Sequence, residues 1–238
     1  MSQTALLVFA RAAGLIARAP GFSHPSVPPL VRAGLALALA LAVALTVARG
    51  PALSLVALTV ALASDFALGA AIGVGAALLY DGAYAAGRTI DDYLGVRGSV
   101  PNANVTSAQA FGRLWSYAFL AAFVLLDGWV PVVGAFAASF AHVGPGGFVG
   151  SHDLVRFALV LPATIVRAAL VVAAPAVAVA AALQLALAAV ARVVPRFASF
   201  TLAFPVVFGA ALLVTVVTVP LLAPLGARPW LVLPWGAR

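Results

Sequence analysis

Long apolar runs, separated by short polar segments, dominate the chain. Residues 168–191 hold a single strongly polar side chain, Gln184, and residues 197–227 hold no charged residue. A helix needs about 20 predominantly apolar residues to cross the hydrocarbon core of a bilayer, so each run is long enough. The pattern predicts two successive spanning helices that form a C-terminal helical hairpin.

A basic, proline-containing corner separates these two runs. Arg192 and Arg196 stand where the first helix would end, and the negative end of a helix dipole attracts cations. Pro195 cannot continue that helix because it lacks an amide donor. A second corner of the same kind, within residues 19–32, leads into another apolar run. The residues that we expect to shape the two corners are Pro20, Pro28, Arg32, Arg192, Pro195 and Pro205.

The middle of the chain is interrupted more often. Residues 51–80 are too long and too interrupted for one plain span, so we predict a break near Ser64 and Asp65. A further break is predicted at Asp127 within the apolar residues 111–140. Residues 81–111 are polar and rich in Gly, Pro, Asn and Ser, which predicts a loop and makes them the best candidate for a functional element.

The overall composition indicates a polytopic membrane protein. Hydrophobic residues make up 65% of the chain and charged residues 8%, and the mean hydropathy is +1.16. A water-soluble core of this length would not need so much apolar surface. The alternating pattern of an outer-membrane barrel is absent, which leaves spanning helices. We therefore expect an all-α fold, with prolines in the last two helices that bend them.

Charge and candidate chemistry narrow the function. The net charge is +7, but the arginines are scattered at segment ends, which favours anchoring at the membrane lipid over nucleic-acid binding. The chain has no cysteine, and its three histidines lack a metal-binding spacing. Phosphate-binding loops and hydrolase elbows are also missing from the sequence. We expect no enzyme activity, no metal and no cofactor.

Aspartates within apolar segments leave a second hypothesis open. An ionisable group at membrane depth is by default a functional candidate, and Asp65, Asp81 and Asp127 are the cases here. One alternative is therefore a small secondary transporter that uses these aspartates for ion coupling. The other interpretation is that they pair with cations, lie at helix ends or contact other subunits, and the missing internal repeat favours it.

Distinctive clusters of residues lie along the chain, and they are Ala19-Pro20, Ser26-Val27-Pro28, Val31 to Leu35, Ala86-Gly87, Ile90-Asp91, Gly95, Asp127-Gly128, Ser139-Phe140, Arg192, Pro195, Phe200 and Phe204-Pro205. These clusters resemble the FliR/SctT family of export-gate proteins of bacterial flagella and type III secretion injectisomes. The resemblance covers nearly the whole chain, and the first and last clusters are the most specific. Ile90-Asp91-Asp92 looks like the Ile-Asp-Asn of injectisome members, which favours that branch.

The resemblance implies an assembly and a place in the cell. It implies one subunit of a helical export-gate assembly in the bacterial inner membrane, a multi-pass conduit for unfolded secreted proteins. The implied partners are a FliP/SctR-type pentamer, FliQ/SctS-type subunits and an FlhB/SctU-type switch protein. Residues 1–150 would resemble the FliP-type subunit, and residues 151–238 the FliQ-type hairpin.

The resemblance also implies a loop that plugs the pore, at about residues 95–107. Flagellar members commonly carry a glutamate after the Ala-Gly and an Asp-Pro in the plug, whereas here Arg88 follows Gly87 and Val100-Pro101-Asn102 stands nearby. Glycines and a proline allow turns that a helix cannot make, and valines can supply apolar contacts. The residues that we expect to form the plug are Gly95, Val96, Gly98, Val100, Pro101 and Asn102.

Overall fold

The structure, a computed structural model, describes residues 3–23, 27–47, 52–94, 110–148, 151–194, 200–218, 220 and 231–235. Within these ranges the chain forms seven α-helices and no strand. They are α1 (Gln3–Arg18), α2 (Pro29–Ala44), α3 (Leu55–Leu94), α4 (Ala110–Leu125), α5 (Trp129–His142), α6 (Ser151–Val193) and α7 (Phe200–Thr218). The predicted all-α fold is confirmed.

Several helices have the character of membrane helices. α3 and residues Val155–Val193 of α6 are long and apolar enough to cross a bilayer. α4 and α5 pass the same test only together, as a broken span that bends by 70°. Pro29–Ala44 and Phe204–Thr218 are shorter apolar helices. The prediction of a helical membrane protein is confirmed, and so is the predicted interruption at Asp127.

The structure corrects two of the predictions for the middle of the chain. α3 runs for 40 residues without a break at Ser64 or Asp65, because the carboxylate of Asp65 finds a cationic partner and the helix need not end there. The predicted loop over residues 81–111 is also wrong in its first part. Residues 81–94 continue α3, and their small and apolar side chains, including Ala86 and Ile90, are buried on one helix face.

The chain divides into two compact units. Unit 1 comprises Met1–Leu78, Phe123–Ala163 and Pro229–Arg238. In it, α1 packs closely against α2 and α3. A Cβ added at Gly14 would overlap the backbone carbonyl of Phe66, and one at Gly69 would overlap the carbonyl of Arg11. The backbones of α1 and α3 therefore touch where they cross, a close approach that small residues permit between membrane helices.

Unit 2 comprises Leu79–Ala122 and Thr164–Arg228. One hydrophobic cluster joins α3, α4, α6 and α7, with Ala176 of α6 and Ala211 of α7 both buried in it. The ring of Phe111 packs on that of Phe208 with centroids 5.1 Å apart. α6 and α7 are consecutive and share this cluster, as the predicted C-terminal hairpin requires. Of the two, only α6 is long and apolar enough to be a candidate span, since Phe204–Thr218 is a shorter apolar helix.

The residues predicted to shape the corners lie in different settings. Pro20 is buried in the turn after α1, and Pro28 precedes α2, whose first residue is a second proline. A proline suits the first helical position, where its missing N–H costs no hydrogen bond. Arg32 follows in the first turn, partly buried, and Arg192 is exposed in the last turn of α6. Pro205 lies inside α7 and not in the turn, and Pro195 lies outside the described residues.

The crossing of α1 and α3 gives a first prediction. Gly69→Val should destabilise unit 1 by about 1–3 kcal/mol, because the added side chain must push α1 away from α3. Gly34→Val is the matched control, since a Cβ at Gly34 of α2 meets nothing within 4 Å. Protease resistance of the chain in isolated membranes measures the difference. Equal resistance of the two variants would contradict the close crossing.

Candidate functional site

A buried arginine is the polar centre of unit 1. Arg11 and Asp65 are both fully buried and form an ion pair, with Nε of Arg11 donating to Oδ1 of Asp65 at 2.7 Å. Nη1 donates to Oγ of Ser139 at 3.0 Å and to the carbonyl of Val143 at 2.9 Å. Nη2 donates to the carbonyl of Gly144 at 3.2 Å. Arg11 thus binds α3, α5 and the link that follows α5.

Gly146 and Phe140 provide further favourable contacts for the charges of Asp65 and Arg11. Oδ2 of Asp65 accepts a hydrogen bond from the backbone N–H of Gly146 at 2.8 Å. Gly146 has a φ of +78°, a left-handed conformation that glycine adopts without strain. The guanidinium carbon of Arg11 lies 4.1 Å from the centroid of the Phe140 ring, within the range of a cation–π interaction. Four separate segments of unit 1 are therefore joined by one cation and one anion.

This geometry determines what Asp65 can do. A guanidinium stays protonated in proteins, so the pair cannot pass a proton by neutralising Arg11. Both carboxylate oxygens of Asp65 already accept hydrogen bonds from the protein. The arrangement suits an ion pair that fixes helices, and it favours the pairing interpretation of this aspartate over ion coupling.

The other two candidate aspartates have different surroundings. Asp81 is partly buried in α3 and has a contact of its own. Asp127 is exposed in the turn between α4 and α5, with a φ of 52°. Aspartate is among the residues that tolerate such a left-handed conformation. Asp127 therefore lies where the broken span changes direction.

A second buried carboxylate lies in unit 2, at the beginning of α4. Asp91 of α3 is 3% exposed and accepts two backbone hydrogen bonds, from Phe111 N–H to Oδ1 at 2.9 Å and from Gly112 N–H to Oδ2 at 3.0 Å. The first amides of a helix have no partner within it and carry the positive end of its dipole. A carboxylate from another helix satisfies both needs here.

The predicted plug falls outside the described residues. Its candidates, Gly95 to Asn102, belong to the connection between the end of α3 at Leu94 and the start of α4 at Ala110. The structure describes both of these ends. Sequence reasoning named Asp65 and Asp91 but did not predict their contacts, with Arg11 in unit 1 and with the first amides of α4 in unit 2.

One sequence signal could have found the first of these sites. Arg11 occupies the same face of α1 as the buried Leu7, Val8 and Leu15. A charged residue on the apolar face of a helix requires a partner, because burying an unpaired charge is very costly. Ser139 was noted only as part of the family resemblance, and no sequence signal pointed to the carbonyls of Val143 and Gly144.

The fold and these sites define a class of protein. It is a helical membrane protein in which buried polar groups join helices, and its described residues contain no cluster of His, Asp or Glu that could hold a metal ion. The chain matches the family model described as bacterial export proteins, family 1, over residues 2–230, and it belongs to that family. The resemblance to FliR/SctT proteins is thereby confirmed. A comparison with curated proteins finds no match. The chain is thus a membrane component of a bacterial protein-export apparatus.

The ion pair gives a second prediction. Arg11→Met should destabilise the fold by about 3–5 kcal/mol, because it leaves the charge of Asp65 buried without a cation. Replacing both partners, as Arg11→Met with Asp65→Leu, should recover part of the loss. Protease resistance in membranes is the measurement, with Arg18→Met on the exposed end of α1 as the matched control. A tolerance of Arg11→Met equal to that of Arg18→Met would argue that the pair does not hold the helices together.

Proposed function

We propose that this chain is a subunit of the inner-membrane gate of a bacterial type III secretion system, through which unfolded proteins pass. The family match over residues 2–230 is the observation that carries the proposal. The injectisome branch is the preferred system, on the basis of Ile90-Asp91-Asp92. In this role the chain works without catalysis, as one structural part of a conduit.

The exposed apolar surface supports a place among other membrane subunits. In α2 only Ala36 and Ala40 are buried, whereas Leu30 and Leu41 are 84% and 58% exposed. A helix that is hydrophobic all round is normally covered by lipid or by other helices. We propose that FliP/SctR-type, FliQ/SctS-type and FlhB/SctU-type subunits supply part of that cover.

The proposed organisation follows the resemblance. Residues 1–150 would take the place of a FliP-type subunit in the assembly, and residues 151–238 that of a FliQ-type hairpin. The shared cluster of α6 and α7 supports a hairpin that packs as one element. The apolar helices of both parts support a multi-pass topology.

The plug is the second part of the proposal. A conduit for unfolded polypeptide must keep ions from leaking when no substrate is present. We propose that residues 95–107 close it, with Gly95, Val96, Gly98, Val100, Pro101 and Asn102 as the sealing residues. The rival function, a small secondary transporter, loses its first candidate because Asp65 is held by Arg11 and Gly146.

A third prediction tests the assembly. The chain expressed alone should aggregate or be degraded, whereas co-expression with the three partner subunits should yield a complex that purifies together. The reason is the exposed apolar surface of α2, part of which we propose that the partner subunits cover. Size-exclusion chromatography in detergent distinguishes the outcomes. A stable monomer that does not bind the co-expressed partner subunits would favour a transporter that works alone.

A fourth prediction tests the plug. Deleting residues 96–104 should raise the resting ion conductance of the assembled complex without preventing assembly, because those residues would no longer fill the pore. The measurement is conductance of the reconstituted complex in planar bilayers. The intact complex is the control, and an unchanged conductance would show that the seal lies elsewhere.

A further inference from the structure

An apolar cavity lies beside α2 in unit 1. It has a volume of about 340 Å³ and is bordered by α1, α2, the end of α4 and the start of α5. Residues that line it include Leu15, Ile16, Ala38, Ala42, Phe123 and Val132. We propose that this cavity binds one acyl chain of an aminophospholipid, whose zwitterionic headgroup binds Arg18 and Asp127.

The size and lining of the cavity favour a hydrocarbon chain as its occupant. Ala38 and Ala42 on its α2 side are exposed, so the cavity is reached from the protein surface. An apolar cavity does not attract water, and left empty it forfeits van der Waals contacts along its walls. An α-helix about 10 Å across fills about 850 Å³ over two turns, more than twice the volume of the cavity. A helix of another subunit can therefore cover the cavity but not enter it, whereas a single acyl chain can enter.

Two exposed charges of opposite sign lie at the edge of the cavity. Arg18 precedes Ala19, and Asp127 lies in the turn between Phe123 and Trp129, where Ala19, Phe123 and Trp129 all line the cavity. Neither charged side chain makes a hydrogen bond or ion pair with another residue in the described part of the chain. A guanidinium binds phosphate, and a carboxylate binds an ammonium, through charge-assisted hydrogen bonds. A zwitterionic headgroup with a primary amine therefore matches both charges.

The position of Arg18 beside α3 gives the depth of this edge. A Cβ added at Gly73 of α3 would lie 2.8 Å from the Cβ of Arg18. Gly73 stands about 27 Å along α3 from Leu55, its first residue, and the hydrocarbon core of a bilayer is about 30 Å thick. Trp129 is 46% exposed, and tryptophan is enriched at membrane–water interfaces. For an α3 whose first half lies in the lipid, Arg18 is therefore at the depth of the headgroups.

The same two charges predict which phospholipid binds best. Phosphatidylglycerol has a phosphate for Arg18 but no cation for Asp127, so the negative charge of Asp127 stays uncompensated. Phosphatidylcholine has a cation, but its quaternary ammonium has no N–H group to donate to the carboxylate. Phosphatidylethanolamine has both the phosphate and an N–H donor, so it should be preferred.

The test labels the cavity with a lipid probe. The purified protein, with the subunits that co-purify with it, is placed in phosphatidylcholine nanodiscs that contain a phosphatidylethanolamine with a photoreactive group midway along one acyl chain. After irradiation, peptide mass spectrometry should find the label concentrated on the residues of α2 and α5 that line the cavity. Replacing part of the phosphatidylcholine with unlabelled phosphatidylethanolamine should suppress this labelling, whereas the same amount of phosphatidylglycerol should not.

Variants of α2 test the cavity itself. Ala38→Phe and Ala42→Phe should each reduce the labelling by about tenfold or more, because the ring takes the space of the chain. Gly34→Phe is the matched control, since position 34 is exposed on the same helix and lines a different groove. Labelling in this control should stay unchanged.

Variants of the two charges test the headgroup contacts. Arg18→Gln and Asp127→Asn should each weaken the preference for phosphatidylethanolamine over phosphatidylglycerol. Arg156→Gln is the control, because Arg156 is exposed in unit 1 and does not belong to the residues that line the cavity. Arg18 and Asp127 are exposed, so their replacement should leave protease resistance unchanged.

Each outcome decides the proposal without reference to the proposed function, since labelling does not require an active export gate. Labelling that Ala38→Phe and Ala42→Phe remove and Gly34→Phe retains, with a preference that the two charge variants weaken, supports it. Labelling that is absent from the cavity, or unchanged in both phenylalanine variants, overturns it. Equal suppression by phosphatidylglycerol also overturns it, because the headgroup would then play no part. If Ala38→Phe loses protease resistance, Ala42→Phe decides in its place.

Discussion

An arginine removed from water must find its counter-charge and its hydrogen-bond acceptors inside the protein, and unit 1 is arranged around that constraint. Arg11 uses a carboxylate, a hydroxyl and two backbone carbonyls, which come from parts of the chain distant in sequence. The apolar contacts of α1 and α3 are not directional, so they alone would not fix how the helices slide along each other. The hydrogen bonds do fix it, and the glycines at the crossing allow the approach that brings the acceptors within reach.

The two buried aspartates solve different problems with the same chemical group. Asp65 neutralises a side-chain cation and holds a link between helices, while Asp91 satisfies the free amides at a helix start. Neither has the properties of a group that exchanges ions with solvent. Both aspartates hold segments of the backbone in fixed positions. This role suits a structural part of an export apparatus better than a carrier of ions.

Apolar runs, prolines and the turn at Asp127 predicted most of the helices, because these features act locally. The continuity of α3 could not be predicted in the same way. In the sequence, Asp65 looks like an interruption of an apolar helix. Burying its charge is acceptable only because Arg11, distant in sequence, lies within hydrogen-bond distance of it in the folded chain. The same holds for residues 81–94, whose polarity predicted a loop. Asp91 in this stretch accepts a hydrogen bond from the start of α4, a contact between residues 20 apart that local pattern does not reveal. The acceptors contributed by Val143 and Gly144 are backbone atoms, which no residue type reveals.

The length of α3 has a consequence for where the protein lies. At a rise of 1.5 Å per residue its 40 residues extend about 60 Å, roughly twice the 30 Å thickness of a bilayer's hydrocarbon core. An upright α3 therefore leaves about half of its length outside the lipid. Asp81, Arg88, Asp91 and Asp92 all fall in its second half, the half better suited to water and protein surroundings. For an upright α3 with its first half in the lipid, the junction of α3 and α4 stands outside the hydrocarbon core.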